Sequence, residues 1–165
     1  MCFNTYIVRM AKSIQAELKQ RKPFRTLEEE ASVSIARTAA LIEYAAAEVL
    51  KRYGLTPTQY NVLRILRGAE PEGLGRNEVR DRLIFKVSDA TRLLDRLEEM
   101  GLVARTRGGG EDRRVVVARI TRKGLDVLAP LDGEIEQFNR QTLGHMGQRK
   151  LRTLLDLLAE AREHC

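Results

Sequence analysis

Apolar side chains recur along this chain at the three- and four-residue intervals of amphipathic helices, except over residues 102–120, where they alternate. Ile7, Met10, Ala11, Ile14 and Leu18 predict a short helix ended before Pro23. Thr26 followed by Glu29 reads as a capping box, opening a helix through Val33, Ala36, Ala40, Leu41, Tyr44, Ala47 and Leu50 to Gly54. Its many alanines favour helix and permit close approach of another helix. Thr56, Pro57 and Gln59 form a second capping box before a mostly buried helix with Tyr60, Val62, Leu63, Ile65 and Leu66. Pro71, Gly73 and Gly75 then predict a loop, and residues 78–83 a brief helix with Val79 and Leu83 inward.

The next stretch organises the rest. Ser88 is placed to cap a helix whose inner face is Ala90, Leu93, Leu94, Leu97 and Met100, while Thr91, Arg92, Asp95, Arg96 and Glu99 share the polar face with Ser88. Gly101 can end it in a left-handed conformation. Two alternating runs, 102–107 and 115–120, flank a Gly-rich, charged tip at 108–114, a pattern that predicts a hairpin. Beyond it, Thr121 caps a helix through Leu125, Leu128, Leu131, Ile135 and Phe138, which Pro130 should kink or break. After Gly144 and Gly147, a last helix carries Leu151, Leu154, Leu155, Leu158 and Ala161 on one face.

The fold class that follows is mainly α with a small β-hairpin: a winged helix-turn-helix at 55–123, flanked by a helical dimerisation region at 1–54 and 124–165. The flanking helices carry more apolar surface than a domain of about 70 residues can cover, so they predict a homodimer. With 43% hydrophobic and 32% charged residues, the 165-residue chain reads as folded and helix-rich. Its net charge of +6 is concentrated at residues 76–123, where 13 Lys and Arg face 8 Asp and Glu. A helix feeding a basic hairpin predicts a reader of double-stranded DNA, the helix for the major groove and the hairpin tip for the backbone or minor groove.

Other chemistry finds little support. There is no Gly-rich phosphate loop, nucleophile elbow or HExxH, so an enzyme is not expected, and no cofactor. His145 and His164 are the only histidines, too few for a clustered metal site. Cys2 and Cys165, at opposite ends, make no disulfide framework and fit a reducing cytoplasm; a thiol-based redox sensor stays open as an alternative, as does a winged-helix protein-interaction module that does not bind DNA. No apolar run approaches the ~20 residues of a membrane span, so no membrane partner is expected.

The segments Leu55-Thr56-x-x-Gln59-Tyr60-x-Val62-Leu63, Thr91-Arg92-Leu93-Leu94-Asp95-Arg96-Leu97-Glu98-x-x-Gly101-Leu102-Val103-x-Arg105, Asp112-Arg113-Arg114 and Ile120-Thr121-x-x-Gly124 occur in this order across roughly residues 30–160. Together they resemble the multiple antibiotic resistance regulator (MarR) family of winged-helix transcription factors. The resemblance implies an obligate homodimer built from N- and C-terminal helices, and a repressor relieved when a small-molecule effector or an oxidant alters the spacing of two DNA-reading lobes. It implies that Ser88, Thr91, Arg92 and Arg96 stand at the recognition helix, that Asp112 holds Arg114 for the minor groove, and that Arg105, Arg107 and Arg113 contact phosphate. The chain departs from the family pattern in three places. Gly75-Arg76-Asn77 stands where a Ser or Thr more often caps the preceding helix, residues 84–87 lack the usual glycine, and the helix at 3–20 lies outside the ordinary match.

Overall fold

The structure, a computed structural model, describes residues 13–85, 89–107 and 116–164, with the backbone alone for Arg107. Two compact units divide between Ile42 and Glu43. In the first, Ser13 caps the short α1 (Ile14–Glu17) by accepting from the Ala16 N–H. The long α2 (Leu27–Lys51) starts here too. Thr26 caps it, its Oγ1 accepting from Glu29 N at 3.1 Å, but the Glu29 carboxylate accepts from Arg25 N at 2.8 Å, one residue before the donor a capping box uses. Most of the predicted N-terminal helix lies outside the described residues; of it, Ile14–Glu17 is helical, and Lys19 at φ 54° closes it.

The second unit is built around leucines. Gly54, at φ 68°, ends α2 so that Leu50 and Leu55 both turn inward. The capping box at Thr56 is present with both reciprocal bonds, Gln59 N to Thr56 Oγ1 at 3.2 Å and Thr56 N to Gln59 Oε1 at 2.9 Å, and launches α3 (Pro57–Arg67). After β1 (Leu74–Gly75) come α4 (Arg76–Arg82), α5 (Ala90–Glu99), β2 (Val103–Arg107), β3 (Val116–Ile120), α6 (Arg122–Leu143), a 3-10 turn at Gly144–Met146 and α7 (Gly147–Arg162). Val62, Leu63 and Leu66 of α3, Val79 of α4, Leu94 and Leu97 of α5, Val103 of β2 and Leu128 and Leu131 of α6 share one core.

Two expectations change. The predicted loop before α4 contains a strand: β1 joins the hairpin to give an antiparallel sheet in the order β1-β3-β2, with Leu74 opposite Ala118 and Val103 opposite Ile120. The architecture is therefore mainly helical with a three-stranded wing sheet. Pro130 does not break α6, which runs continuously from Arg122 to Leu143. Pro130 lies on the exposed side, while Leu128 and Leu131 beside it are fully buried, so packing holds the helix through the proline.

Polar contacts tie α6 to the helices before it. Arg67 grips Asp132 with two parallel bonds of 2.8 and 2.9 Å, and Glu134 accepts from the Tyr53 hydroxyl at 2.6 Å and pairs with Arg52. The Arg67 guanidinium holds the Asp132 carboxyl below its ordinary range. A carboxyl whose folded pKa is depressed contributes stability that is present above its unfolded value and lost as pH falls through the folded one. Asp132→Asn is thus expected to be less stable than the parent by a constant margin near neutrality, a margin that closes below about pH 4. Urea unfolding across pH checks this; a margin unchanged at pH 3 would assign the effect to packing.

Candidate nucleic-acid interface

The interface is organised on α5. Its N-cap is Asp89, whose Oδ1 accepts from Arg92 N at 3.0 Å; this corrects the assignment of the cap to Ser88, which lies outside the described residues. Two adjacent residues could both cap, and the carboxylate additionally pairs with the Arg92 guanidinium at 3.1 Å. At the other end Gly101, at φ 71°, sends its N–H to Glu98 O and the Leu102 N–H to Leu97 O, a Schellman closure. The first turn of α6 then bonds to the same end. Lys123 Nζ donates to Met100 O and Thr121 Oγ1 to Gly101 O, both at 2.8 Å, and Thr121 N donates to Leu102 O at 3.0 Å. Thr121 Oγ1 meanwhile caps α6 by accepting from Gly124 N.

Between these anchors the helix buries Ala90, Leu94 and Leu97 and turns Arg92 and Arg96 outward, with side chains 88% and 66% exposed. Arg96 is braced by Glu99 at 3.1 Å, and Thr91 is half-buried in the first turn. Arg76, at the first position of α4, reaches Thr91 Oγ1 with a long 3.4 Å contact. Gly75 serves as the N-cap of α4 with no side-chain cap, and its own N–H is satisfied by the Glu78 carboxylate at 2.8 Å, the half of a capping box that needs no hydroxyl. A cleft of about 590 Å³ opens where α4, α5 and the wing strands meet, with Arg76, Asn77, Thr91 and Arg105 among its walls.

The structure turns Arg92 and Arg96 outward, while Thr91 is half-buried in the wall of the cleft. Arg107 ends β2 opposite Val116, at the root of the hairpin tip. Arg105 is placed differently from Arg92 and Arg96: its guanidinium is held by Asp95 and Glu98, and its side chain is only 27% exposed. Asp112, Arg113 and Arg114 lie outside the described residues, as do Cys2 and Cys165. Arg76 and Asn77, not among the residues expected from the sequence, line the cleft from the start of α4. Among the described residues no group of three or more His, Cys, Asp or Glu could hold a metal, and no helix is long and apolar enough to cross a membrane.

A helix pair packed on the core through Val79, Ala90, Leu94 and Leu97, with a cationic outer face beside a β-wing, is the architecture of a winged helix-turn-helix. Comparison with known proteins gives the family. Residues 53–114 match the MarR family model. The transcriptional regulator TtmR of Methylorubrum extorquens is 30% identical over 152 residues, spanning 92% of this chain and 75% of that protein. YdgJ of Bacillus subtilis, an HTH-type transcriptional regulator, is 26% identical over 111 residues, which span 66% of its length. The solved MarR transcription factor of Planctomyces limnophilus is 36% identical, covering 83% of this chain and 98% of that one at a TM-score of 0.63. The fold is shared with Staphylococcus aureus MepR solved with DNA, at 16% identity and a TM-score of 0.74 over 81% of this chain and 97% of that one. The chain belongs to the MarR family of DNA-binding transcriptional regulators, and it is not an enzyme.

Proposed function

We propose that the protein is a homodimeric repressor that binds palindromic DNA operators and is released from them by a small-molecule effector. The observation that carries this reading is α5, which buries Ala90, Leu94 and Leu97 while Arg92 and Arg96 stand outward and Thr91 lines the cleft that the wing strands help to form. Ser88, Thr91, Arg92 and Arg96 read base edges, Arg114, held by Asp112, enters the minor groove, and Arg107 and Arg113 take phosphates.

Dimerisation is supported by apolar surface that the single chain leaves uncovered. Among the described residues α7 buries no side chain, and its Leu155 and Leu157 are 65% and 58% exposed. Leu27, Ile35, Leu41 and Tyr44 stand exposed along α2. A two-fold dimer would cover such faces and set two α5 helices at the spacing of a palindrome. For the effector, the supporting fact is that another protein of this fold, the organohalide-sensing regulator RdhR, is solved with 2,4-dichlorophenol bound.

The test is selection of bound sites from random DNA at two salt concentrations, alongside sedimentation of the free protein. A palindrome and a dimer are expected. Arg114→Ala should weaken binding to all sequences and reduce the salt slope by about one, whereas Thr91→Ala or Arg92→Ala should change which bases are preferred, at a cost of about 1–3 kcal/mol. A monomer, or variants that select the parent's site with the parent's affinity, would refute these roles.

A further inference from the structure

We infer that Arg105, Glu98 and Asp95 form a latch that fixes the wing to α5, so that Arg105 serves DNA binding as a positioning residue and not as a phosphate contact. The inference rests on the reading of α5 and the wing as the DNA interface. Arg105 sits on β2, opposite Ala118 of β3. Its Nε and Nη2 reach Glu98 Oε2 at 2.8 and 2.5 Å, and its Nη1 reaches Asp95 Oδ1 at 2.6 Å. The Arg105 backbone N–H donates to the other oxygen of Glu98 at 3.0 Å. One residue thus spends its main chain and three guanidinium nitrogens on a single turn of α5.

Charge points the same way. Two carboxylates surround one guanidinium, so the cluster is net negative and presents a phosphate with no surplus cation. Arg105 holds the Glu98 carboxyl below its ordinary range, and Glu98 and Asp95 hold the guanidinium in its charged form. Geometry supplies the function. The hairpin tip begins three residues after Arg105, and a strand advances ~3.3 Å per residue, so a small tilt at the latch is magnified towards the tip. Among the described residues no other side-chain hydrogen bond or ion pair joins α5 to β2 or β3. The latch therefore sets the distance between the bases read by the helix and the groove reached by the wing.

Glu98→Gln, Arg105→Met and the double variant separate the two roles, using the full chain, the operator recovered by site selection, and random-sequence DNA as the non-specific probe. The latch requires each single variant to weaken operator binding about tenfold, the double variant to be no worse than either single one, and the salt slope and non-specific binding to stay at the parent's values. For Glu98→Gln this is opposite in sign to what removing a negative charge near DNA would do. A phosphate contact would instead lower the salt slope of Arg105→Met by about 0.9 and make Glu98→Gln bind more tightly. That outcome, or unchanged operator affinity in both single variants, overturns the latch while leaving the DNA reading intact. Parent protein that selects no site would take both down. Retained non-specific binding and a cooperative thermal transition show that each variant is folded.

Discussion

Leu97→Ala is expected to destabilise the protein by about 3 kcal/mol. Leu97 is fully buried on the inner face of α5, in one cluster with leucines of α3 and α6 and with Val103 of the wing. The substitution removes the transfer energy of the deleted carbons and adds the cost of a cavity, because three separate elements line the space and cannot close on it together. The outward face of α5 is untouched, so base preference at a temperature where the variant is folded should match the parent's. Urea unfolding gives the first quantity and site selection the second. A loss below 1 kcal/mol would mean that the elements collapse onto the site and that Leu97 does not hold α5 in place.

Gly124→Ala should destabilise as well, although alanine is the better helix former by about 1 kcal/mol. Gly124 lies in the first turn of α6, and a Cβ there would stand 2.4 Å from Leu102 O and 2.7 Å from Ile120 Cγ1. One obstacle is backbone and the other a buried side chain of the sheet, so neither yields cheaply. A net loss of roughly 1–3 kcal/mol is expected. Gly133, in the same helix, is the internal control: a Cβ there meets nothing within 4 Å, so Gly133→Ala should be stabilising by up to about 1 kcal/mol. Thermal unfolding of the two variants side by side checks the pair. Equal shifts would show that the junction of α6 with the wing has room the contacts deny.

What could be read from the sequence is what is decided within a few residues. The caps at Thr56 and Thr121 and the closing glycines 54 and 101 each depend on partners three to five residues away, and each forms as the spacing predicts. Where two neighbours compete, local pattern stops short: Ser88 and Asp89 are both capping types, and only the backbone geometry selects Asp89. Features set by distant partners were not legible. The strand at Leu74 exists because Ala118 lies opposite it, and nothing in a two-residue segment announces that pairing. Arg105 looks in sequence like one more cation of a basic hairpin; its partners Asp95 and Glu98 lie across the turn at Gly101, which folds them against it. The continuity of α6 through Pro130 comes from the packing of Leu128 and Leu131, a tertiary effect that outweighs the local penalty.

The bonds from Lys123 and Thr121 to the last carbonyls of α5 have a mechanical meaning. Here the end of α5 and the start of α6 share one joint, with Gly124 pressed against Leu102 and no slack between them. The start of α6 is thus bonded directly to the end of α5, and a displacement of one bears on the other.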